Sequence, residues 1–396
     1  MFKKLPQKKE IEDINDFIEW LYFKVIFIKT TCSNISMALR IFSVLNARGL
    51  ALNATDIFKG ELLKHAKEHE QEEFISRWNA LSQKCSDNDL KIETLFSWYL
   101  TYLNPVTSKE KMEKRLVTWF KNLNKAPLEY LKSIEDFYSA YCEVLEMQDR
   151  HAHLLSYKDD DDLCVILCTS ISHNYSQSEI EYLKELLVKF YYQNWVAEQK
   201  EPKKQTNCNI IKALKEKKNI DDIISIVKQY LDENKITQNF REKLKDDHLY
   251  EKHKKSPKNS WLKPILILVE YFMSDDPEPK RIEKNDFHVE HILPQNPDPS
   301  SQWVKDFSEE ERELYTHSLA NLTLLGGNKN SQASNLDFKD KKEIYMGKTI
   351  KPNNKRTMTC YKMTIDIAHH YTEWTPKSLQ EREKDLMSII ESVLML

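Results

Sequence analysis

An acidic residue and a histidine lie side by side at Glu290 and His291, and two asparagines follow at Asn321 and Asn330. Hydrolysis of a phosphodiester needs an activated water, neutralised phosphate charge and help for the leaving oxygen, and a single Mg²⁺ supplies the last two. Magnesium prefers oxygen ligands and keeps several waters, so one carboxylate and one amide oxygen suffice from the protein. A neutral histidine accepts the water's proton near pH 7. This order of residues therefore predicts a one-metal nuclease.

Each of these four side chains has one predicted role. Glu290 and Asn330 hold the metal, which is Mg²⁺ or another divalent cation. His291 is the general base, and Asn321 orients its ring by a hydrogen bond, because the wrong tautomer cannot accept the proton. Taken alone, a Glu-His pair before a proline is common at the end of a strand, and Asn330 alone is an ordinary helix cap.

The elements that must position these residues form a β-β-α unit. Residues 292–294 (Ile-Leu-Pro) end a first strand, and residues 322–325 (Leu-Thr-Leu-Leu) form a buried second strand. Gly326 and Gly327 make the turn, and a short helix then presents Asn330. The unit closes on one metal.

Three further polar residues near the motif have open roles. His288 and His291 suggest a zinc pair, but strand positions three apart face opposite sides, which favours a structural or supporting role for His288. His317 either approaches the phosphate or packs and hydrogen-bonds. Asn335 is either a site residue or a turn residue.

Composition describes a charge-rich, mostly helical protein. Hydrophobic residues are 40% and charged residues 31% of the 396, and only five are glycine. The net charge of −3 gives no global signature for nucleic acid. No apolar run is long enough to predict a membrane span. The seven cysteines are dispersed without a CxxC pair, so we expect no structural zinc, and reduced thiols in a cytoplasm.

The chain divides into three predicted regions. Residues 1–95 form an opening region and residues 96–275 a helical middle region, in which Asp159–Asp162 is a surface loop or a helix start. Residues 276–396 follow a Pro-containing acidic linker and end in an amphipathic helix at Pro376–Leu394. The fold class is therefore mainly α, with a small C-terminal ββα-metal finger embedded in helices.

The last region resembles a known nuclease domain. The motif residues are Val289–Gln295, Trp303, His317–Leu325, Asn330, Asn335, Phe338, Lys341 and Tyr345. They are similar to the HNH, or His-Me finger, domain, and more closely to the C-terminal domain of GmrSD-like Type IV restriction enzymes. Ala320 departs from the family, which usually has glycine there. The resemblance implies a cytoplasmic DNA endonuclease of a restriction or phage-defence system, with double-stranded and in some members base-modified DNA as substrate.

The opening region resembles the end of the N-terminal domain of the same enzymes, at residues 38–52 and 56–59. That domain is ParB-like and is implicated in nucleotide hydrolysis, but its Asp-Gly-Gln-Gln-Arg type of motif is absent here. We expect a truncated or split member, in which Asn46, Arg48 and Asp56 are either remnants of the nucleotide pocket or structural residues.

The predicted site and the predicted DNA contact lie in segments of opposite charge. Between Arg281 and Tyr345 the sequence has eight Lys or Arg and twelve Asp or Glu, so the finger is locally acidic. DNA affinity needs Lys and Arg at the phosphates. The basic stretch after Tyr345 is either a phosphate-contacting arm or an ordinary lysine-rich loop. Its DNA-binding candidates are Lys348, Lys351, Lys355 and Arg356.

Two functions are therefore open. The first is the Mg²⁺-dependent endonuclease. The second is a non-catalytic or partner-dependent subunit that docks a separate nucleotide-hydrolysing chain through its helical regions. The presence of all four motif residues favours the first function, because a decayed site has no chemical reason to hold them together.

Overall fold

The computed structural model describes residues 14–26, 29, 31–32, 37, 41, 54–123, 125–347 and 361–396. Its first fourteen helices precede any strand. They are α1 (Ile14–Lys24), α2 (Ala54–His65), α3 (Gln71–Asp87), α4 (Ile92–Leu103), α5 (Met112–Leu123), α6 (Pro127–Leu145), α7 (Arg150–Ser156), α8 (Asp161–Ser172), α9 (Gln177–Glu198), α10 (Lys204–Lys215), α11 (Ile220–Glu233), α12 (Ile236–Leu244), α13 (Leu249–Lys255) and α14 (Leu262–Phe272).

The C-terminal part contains the strands. Its elements are β1 (Phe287–His291), α15 (Gln302–Asp306), α16 (Glu309–Tyr315), β2 (Leu322–Gly326), α17 (Gly327–Ala333), α18 (Phe338–Tyr345), α19 (Lys362–His370) and α20 (Pro376–Leu394). Short 3₁₀ turns lie at Glu68–Glu70, Pro257–Asn259 and Leu319–Asn321. The described part is thus helical apart from one two-stranded sheet, which confirms the mainly α fold class.

Helix starts follow local capping chemistry. Ser176 caps α9, and Glu179 returns the bond to its backbone, a capping box. Thr375 caps α20, and Pro376 occupies the first turn, where its missing N–H costs nothing. Asp160 caps α8 by accepting the N–H groups of Asp162 and Leu163, so the acidic run is a helix start.

Strand β2 is buried on both faces, whereas β1 exposes His288. β1 and β2 pair antiparallel, with Glu290 opposite Thr323 and His291 opposite Leu322. Leu322 and Leu324 point into the large helical core, whereas Leu325 on the other face joins a smaller core. This double burial explains why the second strand shows little polar alternation in the sequence.

The smaller core packs against the β-β-α unit of β1, β2 and α17, which is called the finger. It is built around Trp303, Phe338 and Trp374, and the indole N–H of Trp303 donates to the carbonyl of Leu336 at 3.0 Å. Helix α20 belongs to both cores, since Leu379 packs in the smaller one and residues 386–394 pack in the helical one. It therefore ties the finger to the helices.

The predicted domain boundary between residues 95 and 96 falls inside α4, whose side chains pack into the same core as α3 and α6. The boundary at 275/276 falls in the connection after α14. The three-part division stays a prediction. Among the described helices, none is long and apolar enough to cross a membrane.

Candidate active site

The carboxylate of Glu290 is anchored inside the finger. Its Oε1 accepts a hydrogen bond from Nζ of Lys341 at 2.7 Å and from the hydroxyl of Tyr345 at 3.0 Å. Burial raises the pKa of Glu290 and lowers the pKa of Lys341, and the attraction between the two charges opposes both shifts. Because both bonds go to Oε1, the second oxygen, Oε2, is the one left for a metal.

His291 lies at the end of β1 against the helical part. The ring of Tyr250 packs edge-on against it with centroids 4.3 Å apart, and Nδ1 lies 3.3 Å from the side-chain amide of Gln295. Nε2 is buried and has no hydrogen-bond partner in the part of the chain that the structure describes. The pKa of His291 is lowered to about 3. Burial is the largest cause, and the nearby His317 and the charges of Lys341 and Lys254 act in the same direction. The ring is therefore neutral at pH 7, as a general base must be.

Asn321 does not bond to the ring of His291, contrary to the expected orienting role. Its amide donates to the carbonyls of Leu293 (2.8 Å) and Thr316 (2.9 Å). Its oxygen accepts from the N–H of Leu293 (2.7 Å) and the indole of Trp374 (3.3 Å). These four bonds use its hydrogen-bonding capacity, so Asn321 holds the backbone just after His291 instead.

Gln295 is the side chain that lies within hydrogen-bond distance of the His291 ring, and sequence reasoning assigned it no role. Its signal was its place beside Pro294 in the motif. Tyr250 was also missed. It lies in α13, 41 residues before His291, and no local pattern connects the two.

Asn330 projects from α17, as the β-β-α pattern predicts. Its side-chain oxygen, Oδ1, is buried, and no residue that the structure describes forms a hydrogen bond with it. Most buried polar atoms are paired, so an orphaned oxygen of this kind calls for a ligand or water. Asn330 lines the same cleft as Glu290 and His291.

This cleft has a volume of about 600 Å³ and two walls. The finger supplies one wall, and helices α13 and α14 supply the other. The polar lining residues from the finger include His288, Glu290, His291, Gln295, Asn330 and Asn335, and those from the helical wall include Tyr250, His253, Lys254 and Lys263. The helical region is thus part of the site.

The donors in this cleft fit a hard cation better than zinc. Among the residues that the structure describes, no group of three or more His, Cys, Asp or Glu side chains is arranged to hold a metal. Glu290 Oε2 and the unpaired Asn330 Oδ1 are a carboxylate and an amide oxygen, the type of donor that Mg²⁺ accepts while it keeps several waters.

The remaining histidines have distinct surroundings. His288 is exposed and packs beside the start of α17, where a Cβ at Gly327 would come within 3.3 Å of its Nε2. It lies on the opposite face of β1 from His291, as the strand period predicts. His317 stacks on Tyr250 and approaches Glu251 at 3.7 Å. Burial lowers the pKa of His317.

Several residues with predicted functions lie outside the cleft or outside the described part of the chain. Lys348, Lys351, Lys355 and Arg356 lie outside the described residues, as do Asn46 and Arg48. Asp56 lies in the first turn of α2. The DNA-contacting arm and the nucleotide-pocket remnant therefore stay predictions.

The finger and its cleft lie within a stretch of the chain that matches a family of restriction endonucleases. Residues 235–389, which are 155 of the 396, match the family described as GmrSD restriction endonucleases, C-terminal domain. The resemblance predicted from the motif is confirmed for this part, whereas a truncated ParB-like opening region stays a prediction. The match begins at Lys235, so it includes α13 and α14 with the finger. The curated proteins give no match to the chain.

Proposed function

We propose that the chain is a metal-dependent DNA endonuclease of a restriction or phage-defence system. One observation carries the proposal. The β-β-α unit brings Glu290, His291 and Asn330 to one cleft, and two buried atoms there, His291 Nε2 and Asn330 Oδ1, have no hydrogen-bond partner among the described residues. The match to the restriction-endonuclease family supports the same reaction class.

His291 removes a proton from the attacking water through Nε2. For this, Nδ1 must carry the ring proton, and Gln295 must present its amide oxygen to accept it. The oxygen and nitrogen of an amide exchange places by a rotation of about 180°, so the 3.3 Å contact allows this arrangement. The edge of Tyr250 and the backbone clamp by Asn321 keep the ring in place.

Glu290 and Asn330 would hold the cation by Oε2 and Oδ1. A bound Mg²⁺ would neutralise charge on the phosphate and assist the departing oxygen. Lys341 fixes the Glu290 side chain and also donates to the carbonyl oxygen of His291 at 2.6 Å, so one buried amine orients both neighbouring site residues.

A plasmid-nicking assay with Mg²⁺ tests this function. We expect the wild type to convert supercoiled DNA to open circles, and His291→Ala to lose that activity. His369→Ala is the matched control, because His369 is an exposed histidine at the end of α19. Equal nicking by the wild type and His291→Ala would contradict the assignment of the base.

We further propose double-stranded DNA as the substrate, with base-modified DNA as one class that the family resemblance suggests. A cytoplasmic location agrees with this substrate and with free cysteines, since the six described cysteines form no disulfide. Nicking of unmodified and glucosylated plasmid in parallel distinguishes the two classes of DNA.

A partner-dependent nuclease is the second candidate, and α1 favours it. This helix exposes large apolar side chains, among them Trp20 (53% exposed), Tyr22 (79%) and Phe23 (79%). Exposed apolar surfaces of this kind mark protein contacts. If a separate nucleotide-hydrolysing chain binds here, the isolated protein is inactive and becomes active when that chain is added. Full nicking activity of the isolated chain would exclude this requirement.

A further inference from the structure

We propose that the helical wall of the cleft, residues 249–263, contacts the DNA phosphates next to the cleavage position. We call this segment the basic wall. It comprises α13, the 3₁₀ turn at Pro257–Asn259 and the start of α14. The inference rests on the proposed nuclease function, which it extends by naming the surface that holds the substrate.

The basic wall is strongly positive in an otherwise balanced chain. It contains five lysines and one acidic residue, Glu251. The lysines are Lys252, Lys254, Lys255, Lys258 and Lys263. The finger opposite has more acidic than basic residues. Phosphate contacts of the duplex therefore meet favourable charge on the helical side of the cleft.

Part of this positive charge serves the fold. Lys252 forms an ion pair with Asp246, and Nζ of Lys263 donates to the carbonyls of Lys284 (2.6 Å) and Phe287 (3.1 Å). Lys254 and Lys255 are exposed, and no ion pair involves either of them in the part of the chain that the structure describes. Among the lysines of the basic wall whose side chains the structure describes, these two are available to a ligand.

Lys254 lies where its charge can contact a bound substrate. Lys254 lines the same cleft as His291 and Asn330. Its helix is fixed to the finger, because the N–H of Tyr250 donates to the carbonyl of His317 at 3.1 Å and the Tyr250 ring packs on His291. A phosphate bound by Lys254 is therefore held at a defined position relative to the general base.

Lysines in the last turn of a helix also stabilise it by opposing the helix dipole. That role stabilises the fold by a few tenths of a kcal/mol and predicts no change in DNA binding. The two roles are separated by measuring DNA binding together with thermal stability.

The test uses the full chain in EDTA, so that binding is measured without cleavage. A fluorescent duplex is titrated with the wild type and with the double variant Lys254→Gln, Lys255→Gln at several salt concentrations. The control is Lys84→Gln, Lys228→Gln, which changes the net charge equally at two exposed lysines on α3 and α11 that do not line the cleft.

Each phosphate contact contributes about 0.9 to the slope of log K against log salt for B-DNA, so the loss of two contacts reduces the slope by about 1.8. The advantage of the wild type over the variant then shrinks about tenfold between about 50 and about 200 mM salt. We expect this for the Lys254, Lys255 variant alone, with an unchanged melting temperature.

Three results would overturn the proposal. They are an unchanged salt slope in the Lys254, Lys255 variant, an equal loss in the control variant, or tighter wild-type binding to an RNA duplex than to DNA. The nicking assay keeps the two hypotheses apart. Cleavage by the wild type with an unchanged salt slope in the variant would contradict only the proposal for the basic wall. A reduced slope in the variant with no cleavage by the wild type would contradict only the proposed nuclease function.

Discussion

Replacing Lys341 by methionine tests how strongly the buried Glu290–Lys341 pair supports the finger. The two side chains are 5% and 0% exposed, and Nζ also donates to the carbonyl oxygen of His291. Removal of one partner of a buried pair leaves an uncompensated charge and costs about 3–5 kcal/mol. We therefore expect Lys341→Met to lower the free energy of unfolding by about 4 kcal/mol.

Urea unfolding of the metal-free protein at pH 7, followed by circular dichroism, measures this loss. Lys132→Met is the matched control, because Lys132 pairs with Asp136 on the surface and both side chains are 61% exposed. Such exposed pairs contribute at most about 1 kcal/mol.

The double variant Glu290→Gln, Lys341→Met removes both charges together. We expect it to be more stable than Lys341→Met alone, because no unpaired carboxylate then remains buried. Equal losses in Lys341→Met and Lys132→Met would refute the reasoning, since they would mean that water reaches the Glu290–Lys341 pair.

Three other predictions concern the site and the pH dependence of folding. Gln295→Leu should lower kcat about 10–100-fold and affect DNA binding less, because its proposed role is to orient His291. Asn330→Leu should raise the Mg²⁺ concentration for half-maximal nicking at least about tenfold, whereas Asn330→Asp, which keeps an oxygen ligand, should not. Burial and a hydrogen bond with Glu201 raise the pKa of Asp160 to about 8. The folded state therefore keeps a proton that the unfolded state loses, and stability should fall as the pH rises from about 4 to about 8. Asp160→Asn keeps the helix cap and should flatten this fall in urea unfolding at pH 5 and pH 8.

Local patterns predicted the elements around the site well. The helix at Pro376–Leu394 was predicted to the residue, because Thr375 and Pro376 give a clear start and the apolar residues recur at helical spacing. The strand, strand and short helix of the finger were likewise predicted, since a proline follows the first strand and two glycines mark the junction of the second strand and the helix.

The partners of the site residues could not be predicted in the same way. Lys341 lies 51 residues after Glu290, and Tyr250 lies 41 residues before His291. Such contacts depend on how the helices and the ribbon pack, which periodicity does not specify. The same limit explains Asn321. Its residue type suggested a bond to the histidine ring, but only the packed loop shows that Leu293, Thr316 and Trp374 use its hydrogen bonds.

The contacts of helix α20 determine when, during translation, the candidate active site can form. It supplies Leu379 to the core of the finger, while Arg382 donates to the carbonyls of Ala320 and Leu322, beside β2. At its other end, Leu394 accepts a bond from Gln193 of α9. A nascent chain that has exposed the finger but not α20 lacks these supports. We therefore expect the candidate active site to form only after α20 is translated, so that chains still lacking α20 would not have the proposed nuclease activity.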